Sequence, residues 1–170
     1  MPADMLVKLY DVEDDWSFVP KQAARGVTIR KAIGPEKRAL IDWVARTFNP
    51  VWASEVDVAL SNRPSTVFIA VKERAFVGFC CYDATAPGFV GPLGVAPEHR
   101  SGGTGGAVYM ACLLEMKHGG HGYCILGMIT EEMFSYYERL SGAQPIEGSG
   151  MSVWKTWVQP PAVPPEGPAV

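Results

Sequence analysis

The sequence contains no apolar run that approaches the roughly 20 residues needed for a membrane-spanning helix. Its first residues, MPADMLVKLYDVEDDW, lack the basic segment followed by an apolar segment that is typical of a signal peptide. The formal net charge is only −3, so general electrostatic attraction to nucleic acid or to an anionic membrane is missing. We therefore expect no membrane and no nucleic-acid partner.

Metal-binding and disulfide patterns are missing as well. The cysteines are Cys80, Cys81, Cys112 and Cys124. Their spacing is not that of a zinc site, and two adjacent cysteines are poor disulfide partners. His118 and His121 flank a Gly-Gly pair, so no helix would hold both on one face. These observations predict no metal site and reduced, mostly buried thiols, which favour a cytoplasmic location.

The chain has 170 residues, which fits one domain. We expect this domain to cover residues 1–158. Prolines are frequent towards the C-terminus, and they predict an extended or disordered tail over residues 159–170.

Hydrophobic patterning outlines the secondary structure. Alternating or short β-rich apolar runs predict strands at 5–10, 27–32, 66–71, 76–82, 89–95, 123–128 and 151–158. Helical spacing of apolar residues predicts helices between Pro35 and Asn49, between Pro50 and Asn62, from the glycine-rich stretch to His118, and from Thr130 to about Leu140. Residues 11–25 are weakly helical. A meander followed by a strand–helix–strand unit implies an α/β fold, a mixed sheet with helices on both faces.

Glycine is concentrated in the stretch Arg100-Ser101-Gly102-Gly103-Thr104-Gly105-Gly106, between a predicted strand and a predicted helix. Glycines let the backbone approach a ligand closely, and the first N–H groups of a helix attract phosphate. Arg100 adds a cation with bidentate geometry. The alternative is a flexible turn without a ligand. A Walker loop is excluded because no lysine is present, and a dinucleotide fingerprint because Val108 stands where it needs Gly or Ala.

The spacing Arg100-x-x-Gly103-x-Gly105 resembles the Arg/Gln-x-x-Gly-x-Gly/Ala loop of the GNAT superfamily of acyl-CoA N-acyltransferases. The preceding residues, Leu93-Gly-Val95-Ala-Pro97-Glu98, look like the strand and turn that lead into that loop. The resemblance implies a GNAT-like central mixed sheet. It also implies an N-acetyltransferase with acetyl-CoA as co-substrate and no metal. The acceptor would be a small-molecule or peptide amine that attacks the thioester directly in a ternary complex. The resemblance also allows a homodimer.

The resemblance further implies which residues hold coenzyme A (CoA). The loop amides would bind the pyrophosphate, and the backbone of the preceding strand would pair with the pantetheine arm and polarise the thioester carbonyl. The implied cofactor-binding residues are Leu93, Gly94, Val95, Arg100, Ser101, Gly102, Gly103, Thr104, Gly105, Gly106 and Thr130. Thr130 stands where the family often has asparagine, and it is alternatively a helix cap.

Two residues are candidates for catalysis. Tyr137 lies in a segment similar to the family's Phe-Tyr-Glu-Lys-x-Gly-Phe, which implies that it donates a proton to the departing thiolate. The alternative is a core tyrosine. The strand 89–95 lacks the carboxylate that many members use to activate the amine, so Asp83 is the nearest candidate for a general base. Asp83 is alternatively a turn cap, with an ordered water chain as the proton route.

Three functions therefore remain open. The first is the N-acetyltransferase, and the second is a CoA-binding or sensor module without catalysis, which the missing strand carboxylate favours. The third is transfer of a longer acyl chain, for which Gly91, Gly94 and Ala96 would leave room. Trp43 and Trp52 lie on helices that border the acceptor cleft in the family, although their helical spacing favours core packing.

Overall fold

A computed structural model of the chain describes residues 1–159. The strands are β1 (Ala3–Lys8), β2 (Val27–Lys31), β3 (Val67–Lys72), β4 (Ala75–Tyr82), β5 (Phe89–Val95), β6 (Tyr123–Ile129) and β7 (Gln144–Pro145). The helices are α1 (Phe18–Ala23), α2 (Lys37–Thr47), α3 (Pro50–Ser61), α4 (Thr104–His118) and α5 (Glu131–Ser141). Residues 160–170 of the expected tail lie outside the described residues.

The seven strands within residues 1–159 form one sheet in the order β2-β3-β4-β5-β6-β1-β7. The pair β5–β6 is parallel, and the other pairs are antiparallel. The expected α/β fold with a mixed sheet is thus confirmed. Among residues 1–159, no helix combines the length and the apolar character that crossing a membrane requires.

Helices cover both faces of the sheet because β3 and β4 carry apolar side chains on both sides. Along β3, Phe68 and Ala70 pack into the core that α4 shares, whereas Val67 and Ile69 pack against α2 and α3. On β4, Cys80 and Cys81 likewise point to opposite cores. This alternation is the two-residue period of a strand, and it leaves the middle strands buried on both faces.

The first strand of the chain lies near the far edge of the sheet, between β6 and β7. Asp4 is almost fully buried there, and its carboxylate accepts a 3.0 Å hydrogen bond from the amide of Met128. The Asp4 amide donates to the Ser149 hydroxyl, and its carbonyl accepts from the Ile146 amide. β1 thus joins β6 to the segment that follows β7.

The strand predicted at 151–158 is wrong. The last strand is the short β7, and residues 152–154 form a single 3₁₀ turn instead. The sheet position beside β6 is occupied by β1, so the apolar side chains of residues 151–158 do not belong to a strand of the sheet. Trp154 lies across the sheet, with its ring 5.8 Å from that of Phe89 in an edge-to-face arrangement. We refer to residues 146–159 as the C-terminal segment.

Candidate active site

A cleft opens where β5 and β6 separate. The two strands pair only at Phe89–Ile125 and Val90–Leu126, whereas β5 remains paired with β4 up to Val95. The edge of β5 over residues 91–95 therefore faces a gap instead of a neighbouring strand. Backbone groups on such an edge are free to pair with an extended ligand.

The glycine-rich stretch lies at the end of β5 and leads directly into α4. Gly103 is the N-cap residue, with a φ of +77°, and no side chain caps the helix. Ser101 also has a positive φ, +69°, which is unusual for a residue with a side chain. A Cβ at Gly105 would stand 3.3 Å from Val95 Cγ2, so the start of the helix packs tightly on β5. The first-turn amides of α4 thus lie beside the open edge of the strand.

Two residues of α1 and its C-terminal turn support this loop. Gln22 is 5% exposed; its Nε2 donates to the Gly102 carbonyl at 2.8 Å, and its Oε1 accepts from the Thr104 hydroxyl at 3.0 Å. A Cβ at Gly102 would lie 2.3 Å from Arg25 Nη2, so only glycine leaves space for this guanidinium. Arg25 therefore places a second cation beside the loop, in addition to Arg100.

A cavity of about 440 Å³ runs along the edge of β5 to the loop. It contains most of the predicted cofactor-binding residues, namely Leu93, Gly94, Val95, Arg100, Ser101, Gly103, Thr104, Gly105 and Gly106. The aromatic and apolar residues on its other sides are Phe48, Trp52, Met133, Tyr136 and Tyr137. We call this space the loop cavity.

The structure does not place Gly102 or Thr130 in the loop cavity. Gly102 lies behind the loop, against Arg25 and Gln22. Thr130 is exposed and is the N-cap residue of α5, although its side chain makes no capping hydrogen bond.

Tyr137 is 6% exposed and packs edge-to-face against Tyr109 and Tyr136. Burial raises the pKa of Tyr137 above its ordinary value, with smaller contributions from Cys80 and Tyr136. Tyr137 therefore stays protonated at neutral pH. The neighbouring Tyr136 lies against the start of α4, and its hydroxyl is 3.5 Å from the place of a Cβ at Gly106.

Tyr137 also lines a second cavity, of about 390 Å³. Trp52, Leu93 and Tyr137 line both cavities, so the two spaces meet at these residues. Its walls come from α3, β5, β6 and the C-terminal segment. We call this space the inner cavity.

Glu55 on α3 lines the inner cavity, and no motif in the sequence marks it as a functional residue. Its carboxylate accepts a short hydrogen bond from the Thr85 hydroxyl. Burial raises the pKa of the Glu55 carboxyl, and the hydrogen bond from Thr85 opposes this effect. A carboxylate with a raised pKa is a stronger base than an exposed one.

Asp83 lies elsewhere. Its carboxylate accepts a 2.6 Å hydrogen bond from the Gly88 amide and lies 3.6 Å from His121 Nε2. It lines a different cavity, together with residues of α4 such as Glu115 and Met116. The structure thus brings Tyr137 and the loop residues together and leaves Asp83 apart from them.

The cysteines are buried, as predicted. Burial raises the pKa of Cys80, Cys81 and Cys124, so these groups remain thiols and are poor nucleophiles. Residues 1–159 contain no group of three or more His, Cys, Asp or Glu side chains that could hold a metal ion.

The two predicted tryptophans have different environments. Trp43 packs on Phe48, Phe76 and Phe79 in the core beneath α2 and α3. Trp52 also touches this core, but it lines both cavities.

Residues 37–142 match the model of a family described as the Acetyltransferase (GNAT) family. No curated protein sequence matches the chain. Gln22 and Arg25 thus precede the matched range.

Three solved structures with low sequence identity share the fold. A GCN5-related glucosamine N-acetyltransferase region of a fungal multi-domain β-N-acetylglucosaminidase has a TM-score of 0.69 at 13% identity, over 85% of this chain and 20% of that one. A GCN5-related N-acetyltransferase from Sphaerobacter thermophilus has a TM-score of 0.63 at 19% identity, over 86% and 50%. A GNAT family acetyltransferase from Brucella melitensis, in complex with acetyl-CoA, has a TM-score of 0.51 at 19% identity, over 71% and 86%. The chain thus spans half or less of the first two proteins.

Proposed function

Because this chain belongs to the GNAT acetyltransferase family, we propose that it transfers an acetyl group from acetyl-CoA to an amine. The observation that carries this proposal is the meeting of the loop cavity and the inner cavity at Leu93 and Tyr137. One cavity has the loop of a phosphate site, and the other has room for a second substrate. Two substrates bound in this way would meet without a covalent enzyme intermediate.

The residues of the loop cavity fit CoA. The uncapped start of α4, the missing side chain at Gly105 and the cation Arg100 suit a diphosphate, and Arg25 adds a second cation behind the loop at Gly102. The open edge of β5 suits the amide groups of a pantetheine arm. Acetyl-CoA supplies the activated acetyl group as a thioester.

The proton transfers are assigned to two side chains. The attacking nitrogen forms a bond to the acetyl carbon while the carbon–sulfur bond breaks, and Tyr137 gives its proton to the departing sulfur. The ammonium form of the acceptor loses one proton before attack, and we assign this proton to Glu55. The nitrogen loses a second proton after attack, which restores the Tyr137 hydroxyl. Glu55 thus takes the role that the sequence suggested for Asp83.

An assay for amine-dependent release of free CoA from acetyl-CoA tests this function. The purified chain is incubated with acetyl-CoA and a panel of primary amines, and free CoA is measured. Release that depends on an amine supports the transferase. Acetyl-CoA binding in calorimetry without release for any amine would favour the CoA-binding module. Faster release from a longer acyl-CoA than from acetyl-CoA would favour the third candidate function.

A further inference from the structure

The inner cavity has an unusual lining for a site that must hold an amine. Among the residues of the described range 1–159 that line it, Glu55 is the only Asp, Glu, Lys, Arg or His. The hydrogen bond from Thr85 uses Oε1 of Glu55, and within residues 1–159 no side chain forms an ion pair with this carboxylate. A single negative charge in an otherwise uncharged cavity attracts one cation and disfavours anions.

The rest of the lining is rich in aromatic rings, which are those of Trp52, Phe89, Tyr109, Tyr137, Trp154 and Trp157. Such rings stack on flat apolar groups and stabilise a nearby ammonium through the cation–π interaction. Few polar side chains remain for other contacts, since the Tyr109 hydroxyl is already paired with Ser141 at 2.8 Å. A sugar would therefore leave several hydroxyl groups without partners, which is unfavourable in a buried site.

The C-terminal segment forms the wall opposite α3. A Cβ at Gly127 would stand 2.1 Å from Trp154 Cη2, so the Trp154 ring lies directly on the backbone of β6. Outside this wall a further cavity, lined by Ser54, Glu55 and Trp157, opens between α3 and the C-terminal segment. This outer space gives an amine a route to Glu55 from the side that the loop cavity does not use.

We propose that the inner cavity binds a primary amine carried on a compact aromatic body, with the ammonium on Glu55 and the ring among the tryptophans. This inference rests on the proposed function and specifies its acceptor as an arylalkylamine. The volume of about 390 Å³ is within the range of small-ligand sites. The ring fills the apolar part, and the nitrogen lies between Glu55 and the meeting point with the loop cavity.

The test compares phenethylamine with glucosamine and with a lysine-containing peptide, using CoA release at saturating acetyl-CoA. We expect kcat/KM for phenethylamine to exceed that for the other two by about 100-fold or more. Glucosamine or the peptide performing as well as phenethylamine would overturn the assignment of the acceptor and leave the transferase function intact.

Three variants locate the site. Glu55→Gln keeps the size and the hydrogen bond with Thr85, and we expect it to lower kcat/KM for phenethylamine about 100-fold. Trp154→Ala should raise the KM for phenethylamine about tenfold. Lys155→Ala, an exposed neighbour that does not line the inner cavity, is the matched control and should change neither value. Circular dichroism of each variant checks that its secondary structure is unchanged. An equal loss of acetyl-CoA affinity in all three variants would indicate misfolding.

Direct binding decides the proposal if no amine releases CoA. Phenethylamine is then titrated into the protein saturated with CoA, and heat is recorded for the unmodified chain and for Glu55→Gln. Binding that Glu55→Gln weakens at least tenfold supports the site although the transferase function has failed. No binding to the unmodified chain, or equal binding to both, overturns it.

Discussion

Replacement of Gln22 by alanine tests whether α1 positions the glycine-rich loop. The change removes two hydrogen bonds, one to the Gly102 carbonyl at 2.8 Å and one from the Thr104 hydroxyl at 3.0 Å. At about 1 kcal/mol each, they contribute about 2 kcal/mol to the free energy of unfolding. For a domain of this size, such a loss corresponds to a fall in Tm of about 4–8 °C.

The same change should weaken acetyl-CoA binding. If ligand binding has to restore the loop that Gln22 holds, 2 kcal/mol corresponds to a rise in Kd of up to about 30-fold. Calorimetry gives the Kd, and thermal unfolding with and without saturating acetyl-CoA gives the Tm. Lys21→Ala, on the exposed side of the same helix, is the control and should leave both unchanged.

Two results would refute this reasoning in different ways. A fall in Tm with an unchanged Kd would mean that Gln22 stabilises the fold but does not position the loop for its ligand. An unchanged Tm would mean that the two hydrogen bonds are replaced by water at no net loss.

Three further changes test separate parts of the site. Gly105→Glu places a negative charge beside the loop and should raise the acetyl-CoA Kd more than tenfold in calorimetry, whereas Gly105→Gln, with the same bulk, should have a smaller effect; equal effects would contradict the electrostatic argument. Tyr137→Phe should slow turnover about 100-fold and change the acetyl-CoA Kd less than threefold, and equal turnover at all pH values would exclude the proton donor. Burial raises the pKa of Glu55 in the folded state, so the stability linked to its protonation is present at low pH and is lost as pH rises through that pKa. Glu55→Gln should therefore raise the Tm at pH 7.5, with a smaller difference at pH 4.5, and a lower Tm at pH 7.5 would contradict the effect of burial.

Local sequence signals were sufficient for most of the fold. Six of the predicted strands and the four predicted helices are present within a few residues of their expected ends, because their apolar spacing matches the structure that buries them. The loop residues were predictable for a similar reason. Position 103 favours glycine because its φ is positive, and position 105 favours glycine because the backbone there lies close to Val95.

The C-terminal segment shows where such signals fail. Residues 151–158 have the β-branched and aromatic composition of a strand. Composition does not reveal that β1 already occupies the position beside β6 in the sheet. The Trp154 ring instead lies on Gly127 and forms part of the wall of the inner cavity. This role depends on a contact between distant parts of the chain.

The general base illustrates the same limit. Asp83 directly follows β4 and is near the predicted site in sequence, but it lies in a turn, where its carboxylate accepts a hydrogen bond from the Gly88 amide, and it lines a different cavity. Glu55 belongs to a helix whose position relative to β5 follows from the packing of the whole core. Only that packing brings its carboxylate to the inner cavity that Tyr137 also lines.

The place of β1 in the sheet has a consequence for biosynthesis. Residues 3–8 leave the ribosome before their partners in β6 and β7, so β1 has no neighbouring strand until residues 123–145 are translated. The strands β3, β4 and β5 are joined by short connections and are able to pair earlier, whereas α2 and α3 separate β2 from β3 in the chain. Docking of β1 then completes the half of the sheet that carries Met128 and Trp154. The part of the sheet that contains β3 to β5 would therefore form before the part that contains β1, β6 and β7.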